Sequence, residues 1–202
     1  MPIAHASPCR CSKGDYRYFS HGHCLACQGT GIKNANREKV LKHNAEAKRP
    51  SMADYLAFDG AHCRNLYKGL AEDWQCPGCR RTKYQILRWT TLFPKIPSAR
   101  RPGWAGGYHT HHDHACDRYG FGRTPVGYTP RFPPTVVCEQ CNSADASAKR
   151  QLKLPEYFSF SPEEIRQFVL PYPHGKHLLD YRIARQIHAS LQVSSTPLFW
   201  PD

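Results

Sequence analysis

Residues 136–142 read VVCEQCN and residues 76–79 read CPGC, and these two stretches decide how the chain is expected to fold. Each holds a Cys-x2-Cys pair, in which one tight turn presents two thiolates, and 58 residues separate the two pairs. Two such pairs complete a tetrahedral site for one zinc ion. We therefore predict a structural zinc that joins two distant parts of the chain. Its predicted ligands are Cys76, Cys79, Cys138 and Cys141.

A second group of four cysteines, again two closely spaced pairs, lies near the start of the chain. Two neighbours, His21 and His23, could replace one of the thiolates, so we predict a second structural zinc there. Residues 24–31, CLACQGTG, resemble one repeat of the chaperone-type CxxCxGxG zinc finger, and a single repeat implies shared ligand chemistry only. The predicted ligands of this second site are Cys9, Cys11, Cys24 and Cys27. The remaining Cys63 and Cys116 are expected to be small buried residues.

Composition favours a fold organised by metal. Leu, Ile, Val and Phe make up about 18% of the 202 residues. A charged chain with less than roughly 20% of these residues is usually disordered unless something other than an aliphatic core stabilises it. No apolar run is long enough to span a membrane and the first ten residues lack a signal peptide, so we expect a cytoplasmic, reducing environment. Thiolate ligands are then more plausible than disulfides. The formal net charge of +12 favours a polyanionic partner, with nucleic acid the first choice.

Local patterns predict a small α+β fold in three parts: 1–50, a zinc module and basic helix; 51–150, a zinc-bound core; and 151–202, a helical region. Helices are expected over 34–49, 51–58, 65–70 and 82–93, after Cys141, from Ser161-Pro162 onward, and along the stripe Leu179, Ile183, Ile187 and Leu191. A linker or binding loop is expected over 94–107 and a short strand over 135–137.

Four histidines lie within six positions, in the stretch 109–114, with an aspartate among them. On a strand, alternate side chains face opposite sides, so His112 and His114 would point away from His111 and Asp113. A histidine that merely packs in a core is usually solitary. The cluster therefore predicts a metal or catalytic site, with a third structural zinc as the alternative.

The asparagine after the second cysteine pair, Asn142, completes a pattern with this cluster. Over roughly residues 76–150 the chain resembles the HNH, or ββα-metal, endonucleases, and most of all the endonuclease VII-type resolvases and small zinc-bound HNH restriction enzymes. The resemblance implies a ββα-metal core with four-cysteine zinc sites and surrounding helices. The stretch 115–135 departs from the family pattern, being longer and rich in Gly, Pro and aromatic residues.

Two alignments to that family are open. In the first, His112 is the general base, and His111 and Asn142 bind one Mg²⁺ or Mn²⁺; a His-His pair at this place resembles the colicin-type HNH nucleases. In the second, Asp113 is the ligand and His114 the base. We prefer the first. The chemistry suits phosphodiester hydrolysis, which needs a base that titrates near neutrality and a divalent cation to stabilise charge on the phosphate.

These features together predict a metal-dependent endonuclease that hydrolyses DNA, with a site-specific, restriction-type double-strand cutter as the leading role. Its partners would be duplex DNA and a second copy of the chain, in a homodimer. No membrane partner is expected. The alternatives are a non-catalytic zinc-finger protein that binds nucleic acid, and an HNH junction-resolving or homing nuclease. Phosphate contacts are expected from basic residues on both sides of the site in sequence: Arg80, Arg81, Lys83, Arg88, Arg100, Arg101, Arg118, Arg123, Arg131, Lys149 and Arg150.

Overall fold

The structure is a computed structural model, and it describes residues 19–20, 23–24, 35–58, 64–119 and 129–194. The helices and strands of these ranges are β1 (Phe19–Ser20), β2 (His23–Cys24), α1 (Ala35–Ala45), α2 (Met52–Ala57), α3 (Arg64–Gly69), α4 (Lys83–Ile86), β3 (Arg88–Leu92), β4 (Arg101–Ala105), β5 (Tyr108–His111), β6 (Thr135–Cys138), α5 (Glu139–Leu152), α6 (Pro162–Phe168), β7 (Val169–Leu170), β8 (Leu178–Leu179) and α7 (Tyr181–Ser194). Two 3-10 helices, Pro97–Ala99 and His114–Tyr119, lie between strands.

Each strand pairs with one antiparallel neighbour, as β1–β2, β3–β4, β5–β6 and β7–β8. The pair that positions the histidines is β5–β6, in which Tyr108 lies opposite Cys138 and His111 opposite Thr135. Helix α5 follows β6 without a linker, with Cys138 as its N-cap, and packs on both strands. The fold is a small mixture of helices and short antiparallel strand pairs, as the sequence predicts.

One buried core surrounds the cysteine pairs. The sulfur-bearing side chains pack with Tyr108 and Val137 from the β5–β6 pair, and with Phe160, Ile165 and Phe168 from the C-terminal part. All of these residues are at least nine-tenths buried. Helices α5, α6 and α7 contact one another around this core. The C-terminal helices therefore share the core that holds the cysteines.

The prediction of one helix over 82–93 is wrong, and the stretch 94–107, predicted as a linker or binding loop, includes the strand β4 over residues 101–105. Thr82 caps the single turn of α4, and the chain then continues as β3, which pairs along its whole length with β4. Residues 88–92, RWTTL, are rich in the aromatic and β-branched side chains that favour strands. Gly103 permits the pairing, because a Cβ there would lie 2.6 Å from Cδ1 of Leu92.

Other local predictions are confirmed with shifted ends. Helices α1, α2 and α3 occupy the predicted ranges, and Ser161 caps α6 in a capping box with Glu164. Helix α5 begins at Glu139, before Cys141 rather than after it. Helix α7 begins at Tyr181, so Leu179 belongs to β8. Among the described residues no helix is both long and apolar enough to cross a bilayer.

Candidate metal centre and histidine site

The four central cysteines meet in one buried cluster. Sγ of Cys76 lies 3.7 Å from Sγ of Cys141, and Sγ of Cys79 lies 3.8 Å from Sγ of Cys138. These distances are too long for a disulfide, whose sulfurs are about 2.05 Å apart. They match the edge of a tetrahedron, about 3.8 Å, when the metal–sulfur bond is about 2.3 Å. The cluster can therefore hold a structural metal such as zinc.

Tight turns shape the cluster. The amide of Cys79 donates to the carbonyl of Cys76 at 3.2 Å, and the amide of Cys138 donates to Sγ of Cys76 at 3.3 Å. Gly78 lets the first turn approach the second, since a Cβ there would lie 3.0 Å from Sγ of Cys141. The thiols of Cys141, Cys76 and Cys79 together hold the pKa of Cys138 well below its usual value. The lowered pKa favours the thiolate form of Cys138, the form that zinc binds, whereas the hydrogen bond to Cys138 raises the pKa of Cys76 and that of Cys141.

A buried arginine donates hydrogen bonds to two of the four sulfurs. Arg81 is 2% exposed, and its guanidinium donates to Sγ of Cys79 and Sγ of Cys138, both at 3.4 Å, and to the carbonyl of Tyr172 at 3.0 Å. Burial opposes its charge, but Cys138 and Cys79 raise the pKa of Arg81 overall. The expectation that Arg81 contacts phosphate is therefore wrong, because its charge is used inside the protein. No sequence signal separates it from its exposed neighbour Arg80.

His111 is held at the end of β5, 1% exposed, with its ring stacked on Phe132 at a centroid distance of 5.3 Å. Its Nε2 donates to the carbonyl of Phe160 at 2.7 Å. Because a carbonyl can only accept, the neutral ring keeps its lone pair on Nδ1. This Nδ1 lies 3.2 Å from the side-chain oxygen of Asn142, which is on the first turn of α5. An imidazole nitrogen and an amide oxygen at this separation can bind the same divalent ion.

His112 lies on the opposite side of the chain from His111 and is one-third exposed. Its Nε2 is 3.1 Å from both carboxylate oxygens of Asp117, in the following 3-10 helix. The carboxylate fixes the proton on Nε2 and leaves Nδ1 as the basic nitrogen. Sequence reasoning missed Asp117. Its spacing of five residues from His112 is the only sequence signal, and it is a weak one.

His114 is held by a charged pair on α5. Nζ of Lys149 lies 2.9 Å from Nδ1 of His114 and 3.0 Å from Oδ2 of Asp145. An ammonium group can only donate, so Nδ1 carries the lone pair and Nε2 carries the proton. Burial, and after it the charge of Lys149, lower the pKa of His114. This lysine is also buried, so the expectation that it contacts phosphate is wrong.

Asp113 has a different environment from the histidines. It is 2% exposed, and its two oxygens accept from the backbone amides of Ala115, at 3.2 Å, and Arg131, at 3.0 Å. The carboxylate thus joins the two ends of the stretch between β5 and β6. The alternation predicted for the cluster is observed: His111 and Asp113 are buried, and His112 and His114 are partly exposed.

The second predicted zinc site falls outside what the structure describes. Cys9, Cys11 and Cys27 lie outside the described residues, and the side chain of Cys24 is not among those described. The same holds for Cys63 and for the side chain of Cys116. The second zinc stays a prediction. Within the described part of the chain, a further group of possible metal ligands consists of His112, His114 and Asp117, whose ligand atoms all lie within 4.8 Å of one another.

A groove of about 900 Å³ opens beside this group, between α5 and the segment that follows it. His114 and Asp117 line one end, and the exposed Arg150 and Lys153 line the α5 side. The groove leads from the histidines to a positively charged surface. Comparison of this chain with protein-family models, with curated proteins and with solved structures finds no significant match, so its function has to be inferred from the chemistry of the site itself.

Proposed function

We propose that this protein is a divalent-metal-dependent endonuclease of the HNH type that hydrolyses phosphodiester bonds in DNA. One observation carries the proposal: Nδ1 of His111 and the side-chain oxygen of Asn142 lie 3.2 Å apart, and His112 follows His111 in the chain. The elements that present them, β5, β6 and α5, are packed together and anchored by the cysteine cluster. This order of two strands and a helix is the one expected of a ββα-metal core.

His111 and Asn142 would hold the catalytic Mg²⁺ or Mn²⁺. When bound there, the ion would neutralise charge on the phosphate and on the departing 3′ oxygen. The hydrogen bond from Nε2 of His111 to Phe160 has the geometry of a contact that orients a metal ligand. One imidazole and one amide are a weak ligand set, so phosphate oxygens and water would complete the coordination.

His112 would act as the general base. Its Nδ1 would accept a proton from a water molecule while the water oxygen attacks phosphorus and the bond from phosphorus to the 3′ oxygen breaks. The departing 3′ oxygen would take its proton from solvent. Asp117, which accepts from Nε2, would stabilise the imidazolium that forms on His112.

The contacts support the first of the two alignments. The second would need Asp113 as a metal ligand, but both of its oxygens accept from backbone amides. It would also need His114 as the base, but the lone pair of this ring points at the ammonium of Lys149. His114 is better suited to donate from Nε2 to a phosphate oxygen. It would therefore bind the substrate rather than remove a proton.

Duplex DNA is the substrate that the charge favours. The groove beside His114 carries Arg150 and Lys153, and the whole chain has a formal net charge of +12. We propose restriction-type cleavage by a homodimer, because a site with one base and one metal cuts one strand. The alternative, a non-catalytic zinc protein that binds nucleic acid, would use the same cysteine cluster but would not need the His111–Asn142 pair.

The deciding experiment is cleavage of supercoiled plasmid by the zinc-loaded protein with Mg²⁺ or Mn²⁺ added or left out. We expect nicked and linear DNA only when the ion is present. Sequencing of the cleaved ends would then show whether cleavage is site-specific. If the protein binds the plasmid but leaves it intact under all these conditions, the non-catalytic alternative is correct and the nuclease proposal is wrong.

A further inference from the structure

The β3–β4 pair, residues 88–105, forms a ribbon with an unusual charge distribution. Its 18 residues include the cations Arg88, Lys95, Arg100 and Arg101 and no aspartate or glutamate. Arg88 pairs with Glu139, the first residue of α5, at 2.8 Å. The other three are exposed and lie at or next to the tip of the ribbon, residues 93–100. Within the described residues neither Lys95 nor Arg100 pairs with a carboxylate.

The tip has a defined shape. The amide of Ile96 donates to the carbonyl of Phe93, and the amide of Ala99 donates to the carbonyl of Ile96, both at 3.0 Å. The guanidinium of Arg101 lies over the ring of Phe93 at 5.5 Å. Prolines at 94 and 97 restrict the backbone further. These contacts hold the tip in one conformation before any partner is bound.

This ordered tip presents an aliphatic side chain to solvent. Ile96 is 50% exposed although the residues on both sides of it are fixed. An exposed apolar residue near unpaired cations contributes nothing to the core. The combination suits a duplex, which presents both apolar and negatively charged groups. The groove edge offers thymine methyl groups, and the backbone offers phosphates.

The ribbon is also attached close to the candidate site. Strand β4 continues through Gly106 and Gly107 into β5, and a cleft of about 710 Å³ lies between the ribbon, His109 on β5 and Glu139 on α5. Because β4 leads into β5 through two residues, a duplex bound at the histidine site would lie within about the length of β5 from the base of the ribbon. Two-stranded antiparallel ribbons are narrow enough to enter the major groove, which is about 12 Å wide.

We infer that the tip of the β3–β4 ribbon enters the major groove of the DNA, with Lys95 and Arg100 on phosphates and Ile96 against base edges. This inference rests on the proposed function, because it assumes that the substrate is duplex DNA. It adds a second contact region, separate from the residues assigned to cleavage. The ribbon would supply affinity and sequence preference, and the histidine site would supply chemistry.

The test measures binding of the zinc-loaded protein to a short random-sequence duplex at several salt concentrations, without Mg²⁺. The charge variant is Lys95→Ala with Arg100→Ala, and its matched control is Arg166→Ala with Arg185→Ala, which removes the same charge from exposed positions on α6 and α7. Loss of two phosphate contacts should reduce the slope of log K against log salt by roughly 2. The control should leave the slope nearly unchanged.

A second measurement addresses Ile96. Selection from a random duplex pool should enrich different sequences for the wild type and for Ile96→Ser, with thymines enriched only by the wild type. Three results would overturn the inference while leaving the nuclease proposal standing. The first is a salt slope that is equal for the charge variant and the wild type, and the second is a control variant whose slope falls as much as that of the charge variant. The third is selection of identical sequences by Ile96→Ser and the wild type. A wild-type protein that binds no duplex at any salt concentration would overturn both.

Discussion

The proton positions on three imidazoles determine what each histidine can do. His111 donates to a carbonyl and His112 to a carboxylate, while His114 accepts from an ammonium group. The three rings therefore present different groups to a ligand. His111 presents a lone pair beside Asn142, His112 presents a basic nitrogen, and His114 presents a hydrogen-bond donor. Residues adjacent in sequence thus have separate chemical roles because their partners come from different elements.

We predict that His112→Ala reduces cleavage by about two to four orders of magnitude, the usual scale for loss of an acid–base group. Zinc content, unfolding temperature and DNA binding should stay near the wild-type values, because His112 is partly exposed and contacts Asp117 and His114, neither of which is in the buried core. Plasmid cleavage rates measure the effect, and His109→Ala, an exposed position on the preceding strand β5, is the control. If His114→Ala abolishes cleavage and His112→Ala does not, the second alignment is the working one.

A further prediction concerns Lys149. Replacing it with Met removes the ammonium that fixes the proton of His114, so this ring should populate both tautomers or become protonated. Nitrogen NMR of the histidine rings reports the protonated nitrogen directly, whether or not the protein is a nuclease. Lys149→Arg should keep the wild-type pattern, and Lys153→Met, at the exposed C-cap of the same helix, should not change it. An unchanged His114 signal in Lys149→Met would show that the contact does not set the tautomer.

Sequence reasoning reached some of these residues and not others. The alternation of His111 to His114 followed from strand geometry, and the meeting of the cysteine pairs followed from their ligand chemistry. The sequence does not indicate Asp117, and it predicts phosphate contact for Arg81, because the roles of both residues depend on tertiary contacts that bring them to an imidazole or a sulfur. Phosphate contact is predicted for Lys149 too, since nothing in a helical pattern shows that Asp145, one turn earlier, is buried beside it.

At the scale of elements, the β5–β6 pair and α5 depend on the cysteine cluster. Cys138 ends β6 and caps α5, and Cys141 lies on the first turn of α5. A metal held by the four cysteines would fix the direction in which this helix leaves the strand. It would also fix the position of Asn142 relative to His111.

We predict that removal of zinc unfolds this unit. Structural zinc contributes an apparent binding free energy of about 10–16 kcal/mol, which is comparable to the whole stability of a typical domain, about 5–15 kcal/mol. Circular dichroism of chelator-treated protein should show loss of helix and of the cooperative thermal transition, and added zinc should restore both. An apo protein with the same spectrum and melting temperature would contradict the prediction.

The β3–β4 ribbon shows why local sequence patterns do not predict every strand. The helical turn of residues 83–86 is followed by apolar spacing that continues into 88–93, so one long helix fits the sequence. The strand forms because residues 101–105 pair with it, across a tip whose two prolines resemble a linker. Strand pairing between segments separated by such a loop depends on packing that propensity alone does not describe.

For the whole molecule we predict that stability falls as the pH is lowered below about 6.5. Burial is the largest cause that lowers the pKa of His43, His114, His174 and His188 from the ordinary value of 6.5. The unfolded chain therefore binds protons that the folded chain resists, and protonation favours unfolding until the folded-state pKa values are also passed. Thermal melting from pH 7.5 to 5.5, with zinc occupancy followed in parallel, measures this.

His188→Gln is the variant that separates this effect from metal loss, since it removes one of these histidines and lies away from the cysteines in sequence. Its melting temperature should depend less steeply on pH than that of the wild type at equal zinc occupancy. A pH dependence that is identical in the two proteins would show that His188 does not contribute to the acid sensitivity.

A second prediction at this scale concerns assembly. If the protein makes double-strand breaks, two chains should be present on each duplex, because each chain offers one base and one metal site. Sedimentation of the His112→Ala protein with a cleavable duplex should give two chains per DNA. One chain per duplex, with both strands cut together by the wild type, would rule out the homodimer.

The guanidinium of Arg81 has a consequence for the lifetime of the protein in an oxidising cell. Hydrogen bonds from Arg81 to Cys79 and Cys138 occupy sulfur lone pairs that would otherwise attack a peroxide or an alkylating agent. Sulfurs held in this way are poorer nucleophiles than free thiolates. Removing Arg81 should therefore shorten the time that zinc is retained under hydrogen peroxide, and activity would be lost by damage to the scaffold while the histidines stay intact.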